Sequence, residues 1–290
     1  MTTTPLSVGT LIPAAAAVGE GPVWDPVAER LVWVDIPAGL VHTSSLDGTT
    51  STIRTPTMVG AVALRQAGGL VAATREGFAV IGPDGEVESK LDVLRSGHRM
   101  NDAKCDSRGR FWAGSTEMSF ASGEGALHVL APNWVVRTVL EDLTLPNGLG
   151  WSTDDRTFYL ADTVEHVLWA FDCDPDTAAL GRRRALRTFD DSEGMPDGLC
   201  VDAADRVWLA MWGGSRVLAL APDGTVLLDV AVPVRQPTSC AFAGRELDVL
   251  CITSAREGLG LADDDPAPDG SVLSVTGTGA RGVSSVPFAG

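Results

Sequence analysis

Short apolar segments recur along the chain in similar groups every 40 to 50 residues, and this repeat limits the fold more than any other feature. Each group is typical of four strands bounded by turn sequences such as Asp-Gly and Pro-Asp. We call the residue that opens the first strand of a group its head. The six heads are Glu20, Gly60, Asn101, Asn147, Asp197 and Thr238. Four-stranded units at this spacing predict an all-β, six-bladed β-propeller with four antiparallel strands per blade. An up-and-down barrel is the alternative, but it gives no reason for matched heads at this spacing.

The sixth group lacks an obvious fourth strand. We expect residues 6–12, Leu6–Ile12, to supply it from the other end of the chain, which would close the ring and cover two strand edges. Because no linker or low-complexity segment interrupts the pattern, residues 1–290 are expected to form a single domain. The acidic run Asp263–Pro266 is expected to be a solvated loop.

Composition excludes several classes of partner. The net charge of −16 argues against nucleic acid and anionic membranes. No run approaches the ~20 apolar residues that span a bilayer. Five cysteines, odd in number and without CxxC spacing, indicate a reducing compartment. The first basic residue is Arg30, so a basic signal-peptide region is not evident. We therefore expect a cytoplasmic protein, either a monomer or a small homo-oligomer.

In a propeller the first strand of each blade lines the central channel, so all six heads meet at one rim. Glu20, Asn147 and Asp197 would place two carboxylates and an amide oxygen there. These hard oxygen donors suit Ca²⁺ first, and also Mg²⁺, Mn²⁺, Fe²⁺ or oxygen-ligated Zn²⁺. The alternative is that Asn-Gly and Asp-Gly are ordinary turn dipeptides whose side chains cap strand starts.

Further polar groups are expected at the same rim, because each second strand runs back towards it. Asp162 ends one such strand. At the third head, Arg99–Asp102 combines a cation, an amide and a carboxylate, a set suited to binding substrate oxygens. The alternative there is a surface arginine beside an Asx turn. Glu117 lies in the loop 116–125, which is expected either to fold over the channel mouth or to be solvated. The turns at the opposite rim are expected to be structural.

The sequence resembles the gluconolactonase / regucalcin (senescence marker protein) family over nearly its whole length. The matching stretches, in chain order, are Gly19–Asp25, Val62–Gln66, Arg99–Asp102, Arg110–Gly114, Asn147–Leu149, Phe158–Asp162, Pro196–Gly198, Pro237–Cys240 and Thr253–Gly258. The resemblance implies a six-bladed propeller with one divalent cation in its channel.

By this resemblance, Glu20, Asn147 and Asp197 would bind the metal. Arg99 and Asn101 would contact the substrate, with Asp102 nearby. Glu117 is the candidate equivalent of a loop glutamate that touches the sugar lactone in some members. The departure of this chain from the family pattern at that loop leaves the substrate open.

We therefore expect a metal-dependent lactonase acting on a sugar lactone, such as an aldono-1,4- or 1,5-lactone. Asp197 is the expected general base, with its pKa lowered by the cation. Arg99 and Asn101 would orient ring oxygens and stabilise the oxyanion. Two alternatives remain open: a phosphotriesterase or general esterase on the same scaffold, and a calcium-binding propeller without turnover.

Overall fold

The computed structural model describes residues 5–262 and 265–290. Asp263 and Asp264, half of the acidic run predicted to be a loop, lie outside the described residues. Within these ranges the chain forms 24 strands arranged as six four-stranded antiparallel sheets. The described residues contain no helix long and apolar enough to cross a bilayer. The predicted six-bladed propeller is thereby confirmed.

Blades one to five each run in chain order from the channel to the outside of the ring. Blade one contains β2 (Gly19–Asp25), β3 (Arg30–Asp35), β4 (Leu40–Ser44) and β5 (Thr50–Arg54). Blade two contains β6 (Val59–Leu64), β7 (Leu70–Thr74), β8 (Gly77–Ile81) and β9 (Val87–Asp92). Blade three contains β10 (His98–Cys105), β11 (Phe111–Glu117), β12 (Gly125–Leu130) and β13 (Val136–Leu143). Blade four contains β14 (Pro146–Trp151), β15 (Thr157–Asp162), β16 (Val167–Asp174) and β17 (Ala179–Thr188). Blade five contains β18 (Met195–Val201), β19 (Val207–Trp212), β20 (Arg216–Leu220) and β21 (Val226–Ala231).

Blade six combines the two ends of the chain. Its strands are β22 (Pro237–Ala243), β23 (Val249–Ser254), β24 (Val272–Thr276) and β1 (Ser7–Ile12). Strand β1 pairs antiparallel with β24, with Ser7 opposite Thr276 and Thr10 opposite Leu273. This confirms the expected closure by residues 6–12. The pairing covers the edge of β24 that would otherwise be left without a partner.

The turns at the opposite rim were expected to be structural, and a buried aspartate stabilises two of them. In blade three, the Asp106 carboxylate accepts hydrogen bonds from Trp112 Nε1 at 2.7 Å and Arg110 Nε at 2.5 Å. In blade five, Asp202 accepts the equivalent bonds from Trp208 Nε1 at 2.8 Å and Arg206 Nε at 2.6 Å. Each carboxylate therefore satisfies the ring N–H of a fully buried tryptophan.

The C-terminal segment, residues 280–290, crosses this opposite end of the channel. The segment is hydrogen-bonded to the blade-five turn, where Ala203 N donates to Arg281 O at 2.8 Å. It then reaches blade two, where Phe288 N donates to Leu64 O at 2.7 Å. The Phe288 ring is fully buried between blades two and three. The sequence analysis did not predict this segment, which spans the end of the channel opposite the head rim.

Candidate metal and substrate site in the channel

All six channel-lining strands have an irregular register at their heads. The shifts fall between Glu20 and Val23, Val59 and Ala61, Met100 and Ala103, Pro146 and Leu149, Pro196 and Leu199, and Pro237 and Ser239. A bulge interrupts the regular alternation of side chains and re-aims them locally. The head side chains therefore depart from the regular alternation of a strand, and they do so at the same level of the channel.

The Asn-Gly and Asp-Gly pairs at two of these heads are not turns. Asn147-Gly148 lies within β14 and Asp197-Gly198 within β18. A Cβ at Gly148 would lie 2.4 Å from Asp197 O, and one at Gly198 would lie 2.1 Å from Ser239 Oγ. The glycines are therefore required by the close approach of neighbouring inner strands. The turn-dipeptide alternative is excluded for both pairs.

This close approach brings Asn147 into contact with Asp197, although the two are 50 residues apart in sequence. Asn147 Nδ2 donates to Asp197 Oδ1 and, at 3.1 Å, to Thr163 Oγ1. The amide oxygen of Asn147 is buried and accepts no hydrogen bond from the described residues. A buried acceptor without a donor is costly in a folded protein unless something else satisfies it. A cation beside the Asp197 carboxylate would do so.

The carboxylates near these heads are desolvated. Glu20 is 4% exposed and Asp197 is 3% exposed. Burial, followed by repulsion from Asp102, raises the pKa of Glu20 to about 8. Burial, together with repulsion from Glu20 and Asp102, raises the pKa of Asp197 well above its usual value. The ionised forms of these carboxyl groups are therefore disfavoured until an opposite charge compensates them.

No group of three His, Cys, Asp or Glu side chains that could hold a metal occurs among residues 5–262 and 265–290. The donor set at the heads is instead mixed, with Glu20, Asp197 and the amide oxygen of Asn147. Two carboxylates and a carbonyl-type oxygen are hard donors. The chemistry of these groups fits a divalent cation, and the orphaned Asn147 oxygen supports that fit.

Arg99 and Asn101 lie together beside this set. Arg99 Nη1 donates to Asn101 Oδ1 at 2.7 Å, and Asn101 Nδ2 donates to Pro146 O at 3.2 Å. Asn101 thereby links the Arg99 side chain to the start of the blade-four inner strand. Burial lowers the pKa of Arg99, opposed by the charge of Glu20. The guanidinium also faces the ring of Phe120 at 5.9 Å from its centroid, which places the loop of residues 118–124 against Arg99.

The family model described as the SMP-30/Gluconolactonase/LRE-like region matches residues 18–256. The chain belongs to this family. It is 34% identical to regucalcin from Homo sapiens over 98% of this chain and 99% of that protein. Among solved structures, a luciferin-regenerating enzyme is 27% identical with a TM-score of 0.90, covering 98% of this chain and 100% of the other. A calcium-binding protein, regucalcin from Agrobacterium tumefaciens, is 26% identical with a TM-score of 0.89, covering 96% of each chain.

Asp102 occupies a different place from the other site residues of this family member. It lines a cavity of about 300 Å³ in the half of the channel beyond the heads, which we call the lower cavity. Asp102 Oδ1 accepts a bond from Ala103 N at 2.7 Å, whereas its buried Oδ2 has no hydrogen-bond partner among the described residues. Its charge nevertheless acts on Glu20 and Asp197. The structure therefore places Asp102 between the head layer and the lower cavity.

Glu117 was predicted to lie in the loop 116–125, but it is the last residue of β11, and the loop itself is confined to residues 118–124. Its carboxylate accepts hydrogen bonds from Ser119 N at 2.7 Å and Ser119 Oγ at 2.5 Å, which lower its pKa. The neighbouring loop residue that does contact Arg99 is Phe120, which the sequence analysis did not single out. Phe120 has a positive φ of 60° and is 41% exposed. This unusual backbone holds a bulky aromatic ring beside the site entrance.

Asp162 supports the blade-four head through hydrogen bonds from the backbone. Its carboxylate accepts bonds from Thr144 N at 2.9 Å and Leu145 N at 2.8 Å, directly before β14. Asp35 does the same in blade one, accepting from Ala17 N at 3.0 Å. The aspartates that end these second strands therefore anchor the chain as it enters the channel, which positions Asn147 and Glu20.

Proposed function

We propose that this member of the SMP-30/gluconolactonase family is a divalent-metal-dependent lactonase that hydrolyses a sugar lactone to its aldonic acid. The observation that carries the proposal is the orphaned amide oxygen of Asn147, buried beside the Asp197 carboxylate. Glu20 completes a donor set with charge −2 when both carboxylates are ionised. Membership of a family named partly for gluconolactonase supports the choice of a lactone.

Calcium is the proposed ion. Buried carboxylate and amide oxygens are the ligands it prefers, and a flexible mixed set accommodates its coordination. The Agrobacterium relative is described as a calcium-binding protein, which supports the same choice here. The same oxygens also accept Zn²⁺, Mn²⁺, Mg²⁺ or Fe²⁺. The type of ligand therefore does not identify the physiological metal, which has to be measured.

When bound, a divalent cation would polarise the lactone carbonyl and favour ionisation of nearby water. Asp197 would take a proton from the attacking water. Its buried position, which raises its pKa, improves it as a proton acceptor, whereas the cation charge acts in the opposite direction. Asn147 fixes the orientation of this carboxylate through the bond from its Nδ2 to Asp197 Oδ1.

Arg99 would bind the lactone oxygens. Its Nη1 is committed to Asn101 Oδ1 and to Met100 O at 3.1 Å. No bond to the described residues engages its Nε and Nη2, which can donate to a ring or carbonyl oxygen of the substrate. Asn101 would act by holding Arg99 in place, and Arg99 would stabilise negative charge that develops on the carbonyl oxygen.

The test is hydrolysis of a panel of aldonolactones before chelation, after chelation and after restoring each divalent ion. Chelation should abolish hydrolysis, and one or more ions should restore it. Asp197→Asn should remain inactive after metal is restored, whereas Asp248→Asn, at an exposed position, should behave as wild type. Undiminished hydrolysis by metal-free protein would refute the proposal.

The same donor set would also serve a calcium-binding protein without turnover, which the Agrobacterium relative makes a specific alternative. Tight Ca²⁺ binding without hydrolysis of any lactone would favour that alternative. Faster hydrolysis of organophosphates or simple esters than of lactones would favour a phosphotriesterase or esterase on this scaffold.

A further inference from the structure

Two cysteines from neighbouring blades meet in the lower half of the channel. Cys200 lies on β18 of blade five and Cys240 on β22 of blade six. Their sulfur atoms are 3.7 Å apart, although the residues are 40 positions apart in the chain. A disulfide needs a sulfur–sulfur distance of about 2.05 Å, so the two atoms must approach by about 1.7 Å.

The two thiols differ in their access to solvent. Cys200 is half-buried and lines the lower cavity, which extends to the exposed Ser107 and Thr153 in turns of the opposite rim. Cys240 is 1% exposed, and its thiol donates to Trp208 O at 3.3 Å. A small polar molecule in the cavity would therefore meet Cys200 first, with Cys240 directly behind it.

A positive charge lies in the same cavity as this pair. Lys104 lines the cavity, and its Nζ donates at 2.6 Å to the carbonyl oxygen of Leu199, the residue before Cys200. Its positive charge favours ionisation of Cys240 but does not outweigh the groups that oppose it. Contact with Cys200 and burial raise the pKa of Cys240, so Cys240 stays protonated until its partner has reacted.

We propose that Cys200 and Cys240 form a redox modification site, at which a small hydroperoxide converts the two thiols into a disulfide joining blades five and six. The Cys200 thiolate attacks one peroxide oxygen and the O–O bond breaks. Cys200 becomes a sulfenic acid, and the other oxygen leaves as water or an alcohol after taking a proton. Cys240 then attacks the Cys200 sulfur, so that the S–S bond forms and the S–O bond breaks. Hydroxide leaves with the Cys240 proton as water, and the two thiols have given two electrons to the peroxide.

This bond would restrain the ring where the two inner strands already touch. Gly198 packs against Ser239 one level above the sulfurs, between them and the Asp197 head. The new cross-link closes a loop spanning 40 residues. It should raise the melting temperature by roughly 3–8 °C, because it restricts the unfolded chain. The inference does not depend on the proposed lactonase activity.

The test treats the full-length protein with hydrogen peroxide and follows free thiols, intact mass and thermal unfolding. Free thiols should fall from five to three, the mass should fall by two hydrogen atoms, and peptide mapping should join Cys200 to Cys240. Dithiothreitol should reverse all three changes. The Cys105→Ala variant, altered at another thiol of the same cavity, should behave identically except for one fewer thiol.

Single variants separate the two roles. Cys240→Ala should accumulate a sulfenic acid on Cys200 that dimedone traps, and Cys200→Ala should leave Cys240 unmodified. The proposal is overturned if peroxide adds oxygen to wild-type protein without forming the cross-link. It is also overturned if all five thiols persist, or if the cross-link joins other cysteines.

Discussion

Glu20 makes the stability of the metal-free protein depend on pH in a direction that the structure specifies. Its pKa is raised from 4.5 to about 8, first by burial and then by Asp102. The folded protein therefore holds a proton that the unfolded chain releases, so stability should fall as pH rises from about 4.5 to 8 and level off above that range. The pKa difference corresponds to a loss of about 5 kcal/mol at most in the free energy of unfolding. Glu20 and Asp197 contribute to this loss together, because each carboxylate opposes ionisation of the other.

The assay is urea unfolding of chelator-treated protein between about pH 5.5 and pH 8.5, repeated with saturating Ca²⁺. The free energy of unfolding of the metal-free protein should fall by several kcal/mol as the pH rises across this range. Calcium should remove most of the loss, because it compensates the ionised carboxylates. Glu20→Gln should flatten the metal-free profile, whereas Glu141→Gln, at an exposed position on β13, should leave it unchanged. Metal-free protein that is equally stable at both pH extremes, or a Glu20→Gln profile as steep as wild type, would refute this reasoning.

Three further predictions concern the ring and the substrate. Phe288→Ala should lower the free energy of unfolding, measured in urea, by about 3–5 kcal/mol, because its ring is fully buried. Val283→Ala, at a position 56% exposed in the same segment, should lower it by less than about 0.5 kcal/mol. Equal effects of the two changes would contradict the conclusion that Phe288 packs this segment against the ring. Asp202→Ala should cost about 2–4 kcal/mol by the same method, because it leaves the Trp208 ring N–H buried without an acceptor; a neutral result would contradict it. Arg99→Lys should raise KM for the best lactone roughly 10- to 100-fold in steady-state kinetics, because lysine keeps the charge but lacks the planar set of guanidinium donors. An unchanged KM would show that Arg99 does not bind the substrate.

Local patterns were sufficient to predict the ring. The period-2 apolar segments, the turn sequences and the spacing of the heads predicted six blades, and the missing strand in the last group predicted closure by residues 6–12. These features are local because each blade is built from consecutive hairpins. The C-terminal segment was missed because its strand-like pairing and the burial of Phe288 exist only once blades two, three and five are in place.

The sequence predicted that the head residues share one rim, but it did not predict the contacts between them. Spacing placed Asn147 and Asp197 on one rim, yet their contact depends on glycines that let two inner strands approach. The same dipeptides are common in turns, so sequence alone left both interpretations open. Nor does a motif specify where a side chain points. Asp102 lines the lower cavity, and the Glu117 carboxylate accepts a hydrogen bond from Ser119 N.

The central claim is that Glu20, Asn147 and Asp197 hold one divalent cation. Equilibrium dialysis of metal-free protein against Ca²⁺, followed by metal analysis, tests it directly. We expect one ion per chain in wild-type protein and in Asn133→Ala, which changes an exposed asparagine. Asn147→Ala should bind at least about 10- to 100-fold more weakly, because it removes the orphaned oxygen. An Asn147→Ala protein that binds one ion with wild-type affinity would contradict the account.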